Sequence, residues 1–248
     1  MTGARPLIVT PARYESARLP GKVLLDIHGK PMVVWVASRV IASGYGDVIV
    51  ATDSDRVQAV CAEYDLPVIM TSPNCANGTE RVREVAQRYQ EVDYFMNVQG
   101  DEPLINTDIL GEMLAQNVSA DAFYTAVSAI EGDGGNPSEV KVAMSFDGRI
   151  RFASRSPVPF FRDSERKRYK IHGIYLYSRD VLERFVTSKP GPLEQAELVE
   201  QLRCIEHDIP LYGVVTSHTE RSVDTSADLD FMRAQPKSKF VTPGQASV

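Results

Sequence analysis

The chain has little cysteine and no long apolar run, and it shows neither of the common glycine-rich phosphate signatures. Its three cysteines, Cys61, Cys75 and Cys204, are scattered, odd in number and without metal-ligand spacing. That excludes a disulfide framework and a thiolate zinc site, and points to a reduced, cytoplasmic setting with each thiol read as a small apolar side chain. No apolar stretch approaches the ~20 residues of a bilayer span. The N-terminus lacks the charged start, apolar stretch and small-residue cleavage site of an export signal, so the expectation is a soluble, unexported protein. A net charge of −6 argues against bulk nucleic-acid binding, which needs a basic face. The missing dinucleotide fingerprint disfavours a nicotinamide dehydrogenase, and the missing P-loop means that phosphates would be held by side-chain charge more than by a nest of amides. There are no internal repeats and no low-complexity linker. Hydrophobic content of 43% and charged content of 24% are those of an ordinary globular protein.

What the sequence does have is a basic loop directly after a core strand. Leu7-Ile8-Val9 runs into Pro11-Ala12-Arg13-Tyr14-Glu15-Ser16-Ala17-Arg18-Leu19-Pro20-Gly21-Lys22, which places three cations in ten residues. A loop at the carboxyl end of a strand is where open α/β folds bind ligands. A local basic loop in an acidic protein suits a small polyanion, and a nucleoside triphosphate fits best. The plain alternative is a solvated basic turn.

Strand and helix patterns alternate through the first half: strands at 7–10, 47–52, 67–70 and 94–98, helices at 31–42, 54–64, 78–89 and 107–116, with Ser54 expected to cap the second helix. This alternation predicts an α/β fold with a doubly wound, mixed but mostly parallel sheet. After about Asp121 the pattern changes to strands at 122–130, 140–145, 150–153 and 172–177, with Asp147-Gly148 as a hairpin signal. Helices are expected at 180–187, at 193–206 as one unbroken segment, and at 226–234, with a strand at 211–215; the tail from Gln235 onward reads as frayed. The chain is read as a single domain over 1–248 with an embedded antiparallel lid or dimerisation region at about 122–210.

Two carboxylates outside the basic loop add metal chemistry to it. Asp101, in Gln99-Gly100-Asp101-Glu102-Pro103, follows a strand beside a glycine, a position suited to Mg²⁺, which takes one or two protein carboxylates plus substrate phosphates. Asp224 precedes a helix, where Thr225 or Ser226 is expected to cap. Paired with Asp101, it would complete a two-carboxylate metal site. A further group, Arg155 with Glu200 and Gln201, has the cation and the polar partners that a sugar acid needs. The alternative is that Glu200 and Gln201 lie on a solvated helix face. The basic run 162–170 reads as a solvated loop with no need of nucleic acid.

Together these segments resemble the 3-deoxy-manno-octulosonate cytidylyltransferase family, the CMP-Kdo synthetases, from about Leu7 to Arg233. The motifs, in family order, are PARYESARLPGK, GKPM, VATD, NGTER, NVQGDEP, NPSEVKV, SRSPVPFFRD, HGIYLYS, EQLR and VDT. The resemblance implies a nucleotide-diphospho-sugar-transferase-like fold, a homodimer, and CMP transfer from CTP to a 2-keto-3-deoxy sugar acid in lipopolysaccharide or capsule biosynthesis. It implies that Arg13, Arg18 and Lys22 neutralise the triphosphate, with Pro11, Ala12, Ser16, Thr79, Arg81 and Gln99 around the nucleotide. By the same resemblance Asp101 and Asp224 hold Mg²⁺, and Arg13, Lys22, Asp101 and Asp224 carry catalysis. Gln99, Arg155, Ile171, His172, Tyr175, Glu200 and Gln201 are implied for the acceptor.

One departure stands out. Family members carry a histidine two residues before Gly-Ile-Tyr; here that place is Ile171, and His172 is its neighbour. On a strand, one residue of offset turns a side chain to the opposite face. Either a bulge restores the histidine or the pocket takes a modified or related acid. The closing motif is also altered, to Glu220-Arg221-Ser222-Val223-Asp224-Thr225, but keeps its aspartate. The alternatives are CMP activation of a nonulosonate or a phosphonate, and a catalytically idle nucleotide- or sugar-binding homologue.

Overall fold

Short apolar strands flanked by amphipathic helices bury their surface only by layering, and the chain does this in two units. The computed structural model describes residues 5–16, 18–162, 166–219 and 221–241. Residues 163–165 of the basic run at 162–170, and 242–248 of the tail, therefore lie outside the described residues. One unit comprises Arg5–Asp108 with the chain from 221 onward; the other is Ile109–Thr219.

In the first unit, β1 (Leu7–Pro11) is buried at every position, as a central strand covered on both faces requires. A hairpin of β2 (Asp26–Ile27) and β3 (Lys30–Pro31) leads to helix α1 (Met32–Ser43). The chain continues through β4 (Asp47–Thr52), α2 (Asp55–Glu63), β5 (Val68–Met70), α3 (Gly78–Ala86) and β6 (Tyr94–Val98). The strands lie in the order β6-β1-β4-β5, all parallel, with Ile8 opposite Val48 on one side and Met96 on the other. Ser54 stands at the N-cap of α2 but makes no side-chain cap bond, whereas Asn77 caps α3 by accepting from Glu80 N at 2.8 Å.

Helix α4 (Asp108–Leu114) opens the second unit, which holds β7 (Phe123–Ala129), β8 (Lys141–Met144), β9 (Ile150–Ser154), β10 (Tyr169–Ser178), α5 (Arg179–Thr187), α6 (Pro192–Glu197), α7 (Leu202–Glu206) and β11 (Leu211–Thr216). β7 pairs β11 in parallel and β10 antiparallel; β10 pairs β8, and β8 pairs β9, antiparallel. The β8–β9 turn at Ser145–Gly148 matches the predicted hairpin. The sheet is thus mixed, with every pairing of the first unit's four long strands parallel. α8 (Ser226–Ala234) returns the chain to the first unit.

Two expectations are corrected. The segment 193–206 is not one helix: α6 ends at Glu197, Leu198 takes a left-handed conformation (φ 52°), and α7 begins at Leu202. Every residue of the segment tolerates a helix, so the break is tertiary: the Arg155 side chain donates to the Glu197 and Leu198 carbonyls at 2.7 and 3.1 Å. The chain beyond Gln235 is also not frayed as far as it is described. A short 3₁₀ turn at Lys237–Lys239 delivers Phe240 into a core cluster with Ile27, Trp35, Val223 and Met232, where it is 0% exposed. Arg39 donates to the Lys239 and Phe240 carbonyls and fastens the segment.

Candidate active site

The basic loop is shaped before any ligand arrives. Ala12 N donates to Ala51 O at 2.8 Å, so the first loop residue is still tied to the sheet. Gly21 N closes the loop onto Tyr14 O at 3.1 Å. Gly21 is left-handed (φ 67°), and a Cβ there would meet the Tyr14 ring at 3.2–3.3 Å. Glycine meets both demands. The 3₁₀ turn Lys22–Leu24 follows, with Val23 buried in the core.

The turn after β6 docks against the end of β1. Gly100 N donates to Pro11 O at 3.2 Å, and a Cβ at Gly100 would lie only 2.8 Å from that oxygen. The approach places Asp101 beside Lys22. Val223 N donates to Asp101 O at 2.9 Å, and Val223 is itself buried among apolar side chains, so the next residue, Asp224, is fixed as well. Thr225 then caps α8 in a reciprocal capping box with Asp228. The capping and carboxylate readings of this segment therefore coexist on neighbouring residues.

The outcome is a quartet of charges. Lys22 Nζ lies 2.5 Å from Asp101 Oδ2 and 3.0 Å from Asp224 Oδ1, and Arg18 Nη2 lies 2.8 Å from Asp224 Oδ1. Burial works against the Lys22 charge, but the two carboxylates outweigh it and hold its pKa above the usual lysine value. Arg18 is 58% exposed on its side chain, so its pair adds little to stability and leaves it free to serve an incoming anion. Two carboxylate oxygens already converge on one cation here. That donor set suits a hard divalent ion completed by phosphate oxygens or water. Among the described residues no group of three or more His, Cys, Asp or Glu side chains forms a metal cluster. An ion held by protein carboxylates alone is not what this geometry offers.

A cavity of about 600 Å³ opens beside the loop, lined by Arg13, Tyr14, Asp53, Arg56, Cys75 and Arg81 among others. Arg81 is buried and paired with Asp53 at 2.8 Å, and it also donates to Thr71 Oγ1. Asp53 Oδ1 accepts from Tyr14 N at 3.4 Å, which joins this pair to the basic loop. The Arg56 guanidinium lies over the Tyr14 ring at 5.2 Å. The Cys75 thiol is pushed up to about 12 by burial and by Glu84, so it is neutral and unreactive. Ser16 is half-buried on the same loop. Thr79 is fully buried with Oγ1 unpartnered among the described residues. Gln99 Nε2 donates to the buried Asn97 Oδ1 at 3.3 Å.

The second unit holds the other predicted residues. Arg155 donates from Nε, Nη1 and Nη2 to the carbonyls of Glu197, Pro137 and Leu198 at 2.7–3.1 Å. Gln201 is buried and Glu200 half-buried, and Gln201 Nε2 donates to Glu200 Oε1 at 3.4 Å. They sit at the break between α6 and α7, not along a solvated helix face. Ile171 is in register with Val127, and the β10–β7 pairing is irregular between Ile171 and Tyr175. His172 stands at the start of this bulge, 4% exposed, with its carbonyl accepting from Thr125 Oγ1 at 3.4 Å. Its Nε2 has no partner among the described residues. The Tyr175 ring packs on Phe123 at 5.5 Å.

Residues that the sequence reading passed over are Asp53, Asn97, Lys141 and Glu197. Asp53 had a usable signal, since it follows β4 just as Asp101 follows the strand β6. Glu197 gave none, because its partners Ser154 and Arg155 are more than forty residues away; Asn97 and Lys141 have partners within five residues of themselves, but nothing in the sequence marks those bonds.

Residues 7–212 match the cytidylyltransferase family model. The chain is 39% identical to a 3-deoxy-manno-octulosonate cytidylyltransferase of Vibrio parahaemolyticus, covering 92% of this chain and 96% of that one. It is also 39% identical to one of Myxococcus xanthus, covering 96% and 99%. A solved CMP:2-keto-3-deoxy-manno-octonic acid synthetase complexed with CTP superposes with a TM-score of 0.85 at 37% identity, covering 93% of this chain and 98% of that one.

Proposed function

Because the chain belongs to the cytidylyltransferase family, we propose that it transfers CMP from CTP to the anomeric hydroxyl of a 3-deoxy-2-ulosonic acid, Kdo or a close relative. It is a nucleotidyltransferase of the 3-deoxy-manno-octulosonate cytidylyltransferase type. The observation that carries this reading is the quartet of Arg18, Lys22, Asp101 and Asp224 on loops at the sheet's carboxyl edge.

In the reaction the anomeric oxygen bonds to the α-phosphorus, and the bond from that phosphorus to the leaving pyrophosphate oxygen breaks. Little covalent help from protein is needed, so positioning and charge neutralisation supply the catalysis. Arg13, Arg18 and Lys22 neutralise the triphosphate and then the pyrophosphate. Pro11, Ala12, Ser16, Thr79, Arg81 and Gln99 surround the nucleotide. Asp101 and Asp224 would hold Mg²⁺, which when bound would neutralise phosphate charge and lower the pKa of the attacking hydroxyl. Lys22, which bridges the two carboxylates, would add its positive charge beside the phosphates. Gln99, Arg155, Ile171, His172, Tyr175, Glu200 and Gln201 serve the acceptor. The family resemblance supports a cytoplasmic homodimer with 122–210 as its lid or dimerisation region. Among the described residues no helix is long and apolar enough to cross a membrane.

Ile171 at the family histidine position raises a second reading of the acceptor, a nonulosonate or a phosphonate, whereas the irregular β10–β7 pairing after Ile171 supports the bulge that would keep His172 for Kdo. The retained Lys22, Asp101 and Asp224 argue against an idle homologue. The test is pyrophosphate release from CTP and from UTP with Mg²⁺ across a panel of ulosonic acids, a nonulosonate and a phosphonate. Release is expected with CTP only when an acid is present. No release with any acid would refute the enzyme; preference for an acid other than Kdo would select the second reading.

A further inference from the structure

Lys141 is a lysine with 0% exposure whose hydrogen-bond partners among the described residues are all backbone. Its Nζ donates to Asn136 O and Glu139 O, each at 2.7 Å, and to Arg155 O. A buried ammonium is tolerated only where its donors are satisfied, and three carbonyls satisfy all three. Arg155 repeats the arrangement with its side chain, donating to the carbonyls of Pro137, Glu197 and Leu198. The Glu197 carboxylate closes the network by accepting from Ser154 Oγ at 2.6 Å and Arg155 N at 2.9 Å. Two cations thus tie together the loop at 136–139, the end of β9 and the link after α6. Leu198 is left-handed and 77% exposed, so its side-chain packing does not select that conformation; its bound carbonyl does. Among the described residues three of the five guanidinium N–H groups are engaged, leaving one on each terminal nitrogen.

We propose that Lys141 is a positioning residue for the acid acceptor: clamping the Arg155 backbone holds the two remaining guanidinium N–H groups and the Glu200–Gln201 link in one geometry for a carboxylate-bearing substrate. This rests on the reading that Arg155, Glu200 and Gln201 serve the acceptor. A cation aimed by rigid contacts binds a carboxylate at smaller entropic cost than a mobile one.

The test uses Lys141→Met in the full chain, with Glu197→Gln as a second variant that keeps the volume and a polar partner. Steady-state kinetics and hydrogen exchange over 197–203 are measured with the wild type alongside. The acid KM is expected to rise at least about tenfold while the CTP KM stays within about twofold, and amides of the link should exchange at least about tenfold faster. Unchanged acid KM and exchange in folded Lys141→Met, or an equal rise in both KM values, would overturn the proposal. Should that variant not fold, an unchanged acid KM and unchanged exchange in Glu197→Gln overturn it instead. If the wild type uses no acid at all, the functional reading fails, and the exchange data still decide whether the clamp holds the link.

Discussion

Acid should destabilise this protein through His172 in a way that one substitution removes. The imidazole is 4% exposed and its Nε2 has no partner among the described residues. Burial, and then the Lys170 charge, take its pKa from 6.5 down to about 4. The unfolded chain accepts the proton near pH 6.5, the folded chain only near pH 4. Between those values the unfolded state binds more protons, so stability is full above pH 6.5 and falls as the pH falls. Taking the cost as about 1.4 kcal/mol per pH unit, His172 alone removes about 2 kcal/mol by pH 5 and about 3 kcal/mol at the limit. Urea unfolding of the wild type and His172→Phe at pH 7.5, 6 and 5 isolates this share, because Phe cannot titrate and the carboxylates are common to both. The gap between the two stabilities should shift by about 2 kcal/mol in favour of the variant between pH 7.5 and 5. Parallel pH curves would refute the reasoning and mean that the ring is hydrated or hydrogen-bonded in solution.

Two further outcomes test the site and the core. Asp101→Asn should fold, since Lys22 keeps Asp224 and the Val223 carbonyl, yet lose at least about a hundredfold in kcat; normal turnover in a pyrophosphate assay would break the metal assignment. Phe240→Ala should cost about 3–4 kcal/mol in urea unfolding, because the ring is fully buried against Trp35 at 5.4 Å and His28 at 5.2 Å; a change below about 0.5 kcal/mol would restore the frayed tail.

The fold was legible wherever burial writes a period into the sequence. β4 and β6 fall where predicted, residue for residue, because a strand covered on both faces must be apolar and is bounded by turn residues. α8 does so too, because Thr225 and Asp228 form a local capping box. Legibility fails where a distant group sets the backbone. Nothing near Leu198 says that Arg155 will take its carbonyl, and a polar tail gives no sign that Phe240 closes the gap beside Trp35. The β2–β3 hairpin was missed for the opposite reason: two residues per strand are too few for any period.

The site divides along the same line. A charged residue placed directly after a buried strand is visible in the sequence, because the strand fixes where its loop must emerge. This holds for Arg13 after β1 and Asp101 after β6, and the same rule would have found Asp53 after β4. The sequence does not reveal which charges are satisfied by protein and which remain for a ligand. Arg81 and Arg18 look alike as letters, yet Arg81 is buried on Asp53 while Arg18 is largely exposed with a weak partner. A buried pair yields its partner only at a high desolvation cost, whereas an exposed one exchanges readily for phosphate. On the proposed function, Arg18 is the cation expected to exchange its partner for a phosphate, and Arg81, held by Asp53, is the one expected to keep the pocket's shape.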